Sequence, residues 1–497
     1  MAYQYLRGWI DLLRAEGDLR EIEAEVDWNR EIGAISNKVT RNEGPALLFS
    51  NIKDYKDGDF RKLFTGGLAA RRRVALSVGL PGESSYQEIV RTIKDRLRTP
   101  IKPVVLDTGP VKENIVKGDD VDLYKIPVPQ WHHLDGGRYI DTSCAIVTRD
   151  PDTGDINVGT YRGMVAGKNS IAKLLATTAH WGKHFSKYRE SGTPMPVAIC
   201  YGIEPVLLMC SATPVQHAPG TSEYDLVGGL KQEAMELVKC ESLDLLVPAG
   251  AEIVVEGHIS PDPKDFMMEG PFGEYPGTYG GIKSPKPTVK IDCMTYRNDP
   301  IYMGNLEGSS PGRWCESPYY VVPADCAIAW NVMEDAGVPN VLDVWGNPVS
   351  SGPNNLRIKI KKIYRGHAKQ AALALWGSSV VPYQAKNVIV VDEDIDVHSD
   401  EDIEWAFSYR TNAEMNDIQF FHTCYGSMLD PSVPLKERDV VKYGQGKTSR
   451  VLVDATVNWE LDLEEQYGGG RFPPLCTIPE PEDEALVEKR WKEYGID

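Results

Sequence analysis

Apolar residues near the start of the chain fall at Leu6, Trp9, Ile10 and Leu13. This i, i+3, i+4, i+7 spacing lines one face of a helix, and Gly17 ends the pattern. A continuous apolar run, ALLFSNI (46–52), predicts a strand, and RRRVALSVGL follows. Ser85 and Glu88 form a capping box that opens a helix with Tyr86, Ile89, Ile93 and Leu97 as its buried stripe. Pro100 and Pro103 close it, and the extended, proline-containing stretch at 100–130 marks the first domain boundary. The middle third reads mostly as strand: CAIVT, VAICYGI, PVLLMCSA, EIVVEGHI and TVKIDCMTYR are short, rich in Val and Ile, and divided by Pro, Gly and Asp. Two helical patterns interrupt it, at about 169–190 and 224–239. A β-barrel or sandwich with inserted helices accounts for this order. Beyond about 315 a helical GHAKQAALALWG, an apolar strand NVIVVD and a helical IEWAFSYR alternate, as in an α/β domain. The tail PEPEDEALVEKRWKEYGID reads as a capped, charged helix after Gly468–Gly470, an arm for another domain or subunit.

The chain is therefore expected to be α/β (α+β), with domains at 1–110, 111–315 and 316–497. Its 497 residues leave room for two to four domains. At 42% hydrophobic and 25% charged residues it is ordinary globular protein, which excludes a mainly disordered chain. The net charge of −18 argues against a general binder of nucleic acid or anionic membrane. No run reaches the ~18 apolar residues of a membrane helix. The first residues lack a basic region, an apolar core and a small-residue cleavage site, so no signal peptide is expected. Nine cysteines, an odd number without a CxxC pair, fit neither a disulfide framework nor a structural zinc site; a reducing cytoplasm is expected.

Four stretches could carry chemistry. INVGTYRGMV (156–165) offers the Asn157 amide and the Arg162 guanidinium, though a strand arginine paired with a surface carboxylate is the commoner occurrence. In SIAKLLATTAHWGKHF, His180 and His184 are four apart; Trp181 stands where a zinc protease needs Glu, and one core and one surface histidine is the plainer reading. In TSEYDLVGG (221–229), Glu223 opens a helix, where a carboxylate also favours the helix dipole. MEGPFGEYPGTYGG (268–281) is the most informative. Glu269 and Glu274 flank a Gly-Pro-Phe-Gly turn beside aromatics, a setting that can make two carboxylates differ in proton affinity. The glycines at 270, 273, 277, 280 and 281 would let a planar ligand approach the backbone. YGQGKTS (443–449) lacks the first glycine of a P-loop, since Val441 stands there, and no GxGxxG follows a strand. Arg71–Arg73 reads as a solvated helix edge.

NVGTYR, the His180 helix, SEYDLVGG, EGPFGE and KNVIVVDEDIDV, with the PxP…DGGRYI stretch (127–140), occur in the order seen in UbiD-type decarboxylases. The chain resembles that family from about residue 4 to 460, and its ferulic acid and hydroxyaryl acid branch in particular. The resemblance implies a central split β-barrel that binds flavin and a C-terminal α/β oligomerisation domain. It implies a reversible, non-oxidative carboxy-lyase acting on an aromatic, heteroaromatic or α,β-unsaturated acid. The reaction would run through a covalent substrate–cofactor adduct, CO2 loss and protonation by a glutamic acid. The implied cofactors are prenylated FMN, a divalent metal (Mn2+) and K+. By motif, Asn157, His180 and Glu223 match the metal ligands, and Val158, Gly159, Thr160, Tyr161 and Arg162 the run that wraps the flavin. Lys386 matches a phosphate-contacting lysine, and carbonyls of Ala212, Thr213 and Val215 a K+ site. Arg162, Glu269 and Glu274 match the catalytic network. Ala179, before His180, replaces a polar residue that some relatives hold over the flavin, which leaves that surface apolar. A flavin prenyltransferase would supply the cofactor, and a homodimer or homohexamer is expected. The alternative is an FMN-dependent reductase or flavin-binding protein on the same barrel.

Overall fold

The computed structural model describes residues 3–177, 179–215, 220–308, 314–348, 354–378, 385–434, 437, 446–465, 470–471 and 479–496. Three β-sheets organise it. The first runs Leu19–Ile22, Ala46–Phe49, Lys62–Thr65, Ile301–Met303, so a strand from the middle third completes the N-terminal sheet. The amphipathic helix Tyr5–Ala15 buries Leu6, Trp9, Ile10 and Leu13 as its spacing predicts. Ser85 caps the helix Tyr86–Leu97 through the expected box with Glu88.

The central sheet has the order Ile156–Gly159, Cys144–Arg149, Met195–Tyr201, Ile253–Ile259, Thr288–Tyr296, Ser170–Lys173, Gly163–Gly167, with Asn114–Lys117 also paired to Thr288–Tyr296. Every pairing is antiparallel. The two outermost strands of the main order are joined in sequence by Thr160–Arg162 alone. Seven flat strands would hold their edges about 29 Å apart, at ~4.8 Å per strand. The four-residue step from Gly159 to Gly163 spans at most about 14 Å. The sheet must therefore curl until its edges nearly meet, and residues 160–162 bridge the seam.

The third sheet, Val341–Gly346, Asn355–Ile360, Asn387–Val391, Gly446–Ala455, Ile418–Gly426, has a parallel centre and antiparallel edges. The long helix Ser317–Asp335 packs on both Tyr86–Leu97 and Val341–Gly346, tying the N-terminal and C-terminal parts together.

Four local expectations change. PVLLMCSA is a helix, Pro205–Ala212, not a strand. It is buried on nearly every side, so its apolar run carries no helical period. The pattern at 169–190 divides into the strand Ser170–Lys173 and a helix that begins at His180. The pattern at 224–239 divides likewise: the helix Glu223–Lys231 ends, and Glu236–Lys239 is a strand. Arg73 is not solvated; it is fully buried, pairs with Asp18 at 2.6 Å and donates to the Gly44 carbonyl at 2.9 Å. Arg73→Ala should therefore lower stability by about 2–4 kcal/mol, read as an earlier first transition in guanidinium unfolding. An unchanged midpoint would mean that Asp18 finds adequate solvation without its partner. Of the cysteines, seven are buried and Cys424 is partly exposed; Cys476 lies outside the described residues.

Candidate active site

The seam of the curled sheet borders a cavity of about 330 Å3. It is lined by Asn157–Arg162 from one edge and by Ala179 and His180 from the start of a helix. Ser211–Val215, from the end of the buried helix onward, and Glu223, the first residue of the next helix, complete that side. Glu274, Tyr275, Tyr425 and Ser427–Leu429 close the other. The seam is firmly held. Thr160 donates its N–H to the Ser211 carbonyl (2.7 Å) and its hydroxyl to the Cys144 carbonyl (2.7 Å). Lys173, fully buried, donates to the Tyr161 carbonyl at 2.7 Å and pairs with Asp141, whose other oxygen accepts from the Tyr201 hydroxyl at 2.6 Å. Trp181 stacks on Tyr161 with centroids 4.6 Å apart and planes within 6°.

Asn157, His180 and Glu223 meet on this cavity although the first and the last are 66 positions apart in the chain. Glu223 is buried and accepts the Val158 N–H at 2.9 Å, which fastens the helix start to the edge strand. An amide, an imidazole and a carboxylate form a donor set that suits a hard or borderline divalent ion. Among the described residues no cluster of three His, Cys, Asp or Glu side chains could hold a metal, so a cation here would depend on the Asn157 amide. His184 turns away: its Nδ1 lies 3.0 Å from the Thr148 hydroxyl, and burial pushes its pKa down, against the pull of Asp150. Ala212, Thr213 and Val215 also line the cavity. Lys386 does not. It sits in an adjoining cavity of about 150 Å3, bonded to Asp430 and Ser432 at 2.8 Å each.

Arg162, Glu269 and Glu274 form one buried network. Arg162 Nε lies 3.0 Å from Glu269 Oε1, its Nη2 donates to Glu269 Oε2 at 3.2 Å, and its Nη1 donates to Glu274. Burial works against the guanidinium charge, but Glu274 and then Glu269 more than offset it, so the Arg162 pKa moves up. Tyr139 donates its hydroxyl to Glu269 at 2.8 Å; burial, then the Glu269 charge, raises the phenol pKa and keeps that proton in place. Glu269 ends the strand Met267–Glu269 and Glu274 follows Phe272–Gly273, with Gly270 at φ +93° turning the chain between them. Asp135 accepts the Gly273 N–H (2.9 Å) and Gly136 donates to the Pro271 carbonyl (2.8 Å), so the DGGRYI stretch braces this loop.

None of the five glycines of the 268–281 loop lines the seam cavity or the Lys386 cavity, and a Cβ on Gly280 would stand 2.6 Å from the Glu274 side chain. Tyr139, Asp141 and Lys173 escaped the sequence reading; their types are common, and only the closed seam gives them partners. The 425–429 wall carried no signal in the sequence.

The class of protein is set by a curled antiparallel sheet that carries an Arg–Glu–Glu network on its seam. The chain belongs to the UbiD family. It matches that family's 3-octaprenyl-4-hydroxybenzoate carboxy-lyase N-terminal domain over residues 10–93, its Rift-related domain over 102–310 and its C-terminal domain over 323–455. It is thus a decarboxylase of the UbiD type. It is 32% identical over 507 residues to the pyrrole-2-carboxylic acid decarboxylase of Pseudomonas aeruginosa, covering 99% of this chain and 98% of that protein. The closed form of Sedimentibacter hydroxybenzoicus vanillic acid decarboxylase superposes with a TM-score of 0.87 at 29% identity, over 100% of both chains. The UbiD-class enzyme HmfF from Pelotomaculum thermopropionicum also matches at 29% or 28% identity. Its FMN complex gives a TM-score of 0.80 over 98% of this chain and 100% of that one; an evolved dimeric form with prFMN gives 0.77 over 96% and 98%. Among the described residues no helix is long and apolar enough to cross a membrane.

Proposed function

We propose that the chain catalyses the reversible, non-oxidative decarboxylation of an aromatic or heteroaromatic carboxylic acid with prenylated FMN. The observation that carries this is the Arg162–Glu269–Glu274 network, of which Arg162 and Glu274 line the cavity on the seam. When bound, prenylated FMN supplies the electron sink for the carbon that loses CO2. Asn157, His180 and Glu223 would hold Mn2+ at the flavin phosphate. The seam residues Val158–Arg162, with Ala179, would enclose the flavin. Carbonyls of Ala212, Thr213 and Val215 would hold K+. Arg162 orients the substrate carboxylate by its fixed fork of donors. Glu269, anchored by Tyr139, keeps Arg162 in place. Glu274 delivers the proton to the carbon that lost CO2.

Lys386 would reach a flavin phosphate only by exchanging its bond to Asp430. Lys386→Ala should lower the flavin content of purified protein without a change in fold, measured as flavin per chain; equal content would remove Lys386 from cofactor binding. The helix Pro481–Arg490 and the turn after it expose Leu486, Val487 and Trp491, which supports a role as an arm in a homodimer or homohexamer. The test of the whole reading is co-production with a flavin prenyltransferase under anaerobic conditions. A prenylated FMN mass released from the protein, with CO2 release from an aromatic acid, is expected. Plain FMN with oxidation of a nicotinamide donor would replace the reading by a reductase.

A further inference from the structure

A second cavity, of about 210 Å3, adjoins the first across Thr160, Arg162 and Glu274. It is smaller than the ~300–1,000 Å3 of sites for drug-sized ligands, which suits an acid with one ring. Phe272, Pro318, Tyr320 and Val321 give it apolar walls, and Glu307 and Ser317 a polar side. No step proposed above uses Glu307. Its Oε1 accepts the Asn305 side-chain N–H at 2.7 Å and its Oε2 accepts the Ser317 hydroxyl at 2.7 Å. The Cys315 thiol also donates weakly to Oε2, at 3.8 Å. A carboxyl has about four acceptor positions, so three contacts fix its orientation and leave capacity for one donor from a ligand. Burial pushes this carboxyl up to about 7; the Ser317 hydroxyl pulls it down and Glu274 adds to the rise. An acceptor position of such a carboxyl, covered by an apolar ring, is costly unless a polar partner fills it.

We infer that Glu307 is a specificity-determining residue that receives an O–H or N–H donor on the ring of the substrate while Arg162 holds the carboxylate. This rests on the decarboxylase reading and narrows it to hydroxylated aromatic acids or heteroaromatic acids with a ring N–H. Simple aryl acids and furan-type acids, which lack a donor, would cover Glu307 and leave its remaining acceptor position unfilled, and so be rejected.

The test compares matched acids on the holoenzyme: pyrrole-2-carboxylate against furan-2-carboxylate, and 4-hydroxybenzoate against 4-methylbenzoate. The wild type should favour the donor-bearing member of at least one pair by roughly 10- to 150-fold in kcat/KM. Glu307→Leu should bring that ratio to within about threefold by losing the donor-bearing acid while keeping kcat on its partner; Glu307→Gln should keep part of the preference. An unchanged ratio in Glu307→Leu, or equal loss on both acids, overturns the inference. If the wild type releases CO2 from none of these acids, titration calorimetry with the same pairs becomes the readout. The donor preference must then appear in Kd and vanish in Glu307→Leu, and its absence overturns the inference. Failure of the decarboxylase reading shows separately, as no prenylated FMN and no CO2 from any acid.

Discussion

Glu274→Gln is expected to stop CO2 release, by roughly 10^2- to 10^4-fold, while the protein keeps its flavin. The substitution conserves shape. An amide oxygen can still accept from Arg162 Nη1, and Glu269 still holds Arg162 through Nη2 at 3.2 Å. The backbone turn is also untouched, since the Glu274 N–H donates to the Thr278 carbonyl at 3.0 Å and the Gly277 N–H to the Glu274 carbonyl at 2.8 Å. What is lost is a carboxyl able to give up a proton beside the reacting carbon. The pairing of readouts matters: single-turnover CO2 release reports the proton, and the absorbance of bound flavin reports the site. Deuterium exchange at the product carbon should fall with turnover. Normal turnover in this variant would remove Glu274 from the role of acid.

The largest effect on stability is expected from Lys173→Met, about 3–5 kcal/mol. Lys173 and Asp141 are both fully shielded from solvent at their side chains. Removing the ammonium leaves the Asp141 carboxylate with the Tyr201 hydroxyl as its remaining neutral donor and takes the donor from the Tyr161 carbonyl. That carbonyl precedes Arg162, so the variant should lose activity as well as stability. A chain of several domains does not unfold in one step, so the first transition in guanidinium is the quantity to follow. The double variant Asp141→Asn, Lys173→Met should recover part of the loss, because it removes the orphaned charge. Equal damage in the single and double variants would mean that packing, not the ion pair, holds the seam.

Glu307 shows why some site residues were not legible. Nothing about NLEG in the chain marks a carboxyl of interest; its meaning comes from Ser317, Asn305 and the cavity that also receives Arg162 and Glu274. Lys386 shows the reverse: a motif match named it, and the fold puts it in the adjoining cavity with Asp430.

Some features were settled locally. The helix Tyr5–Ala15 and the capped start at Ser85 follow from spacing and side-chain chemistry within a few residues. The Asn157, His180, Glu223 and EGPFGE motifs likewise name their chemistry by residue type and order, and so the family was legible before any fold. Tertiary structure decided the rest. PVLLMCSA became a helix because burial on nearly every side erases the periodicity that would announce it. Arg73 went inside because Asp18 and the Gly44 carbonyl wait there. The meeting of Arg162 with Glu269 and Glu274, more than 100 positions away, depends on how the central eight-stranded sheet curls until residues 160–162 can bridge its edges. Propensity acts over a few residues; closure of a sheet depends on pairings across the whole chain, and there the site was made.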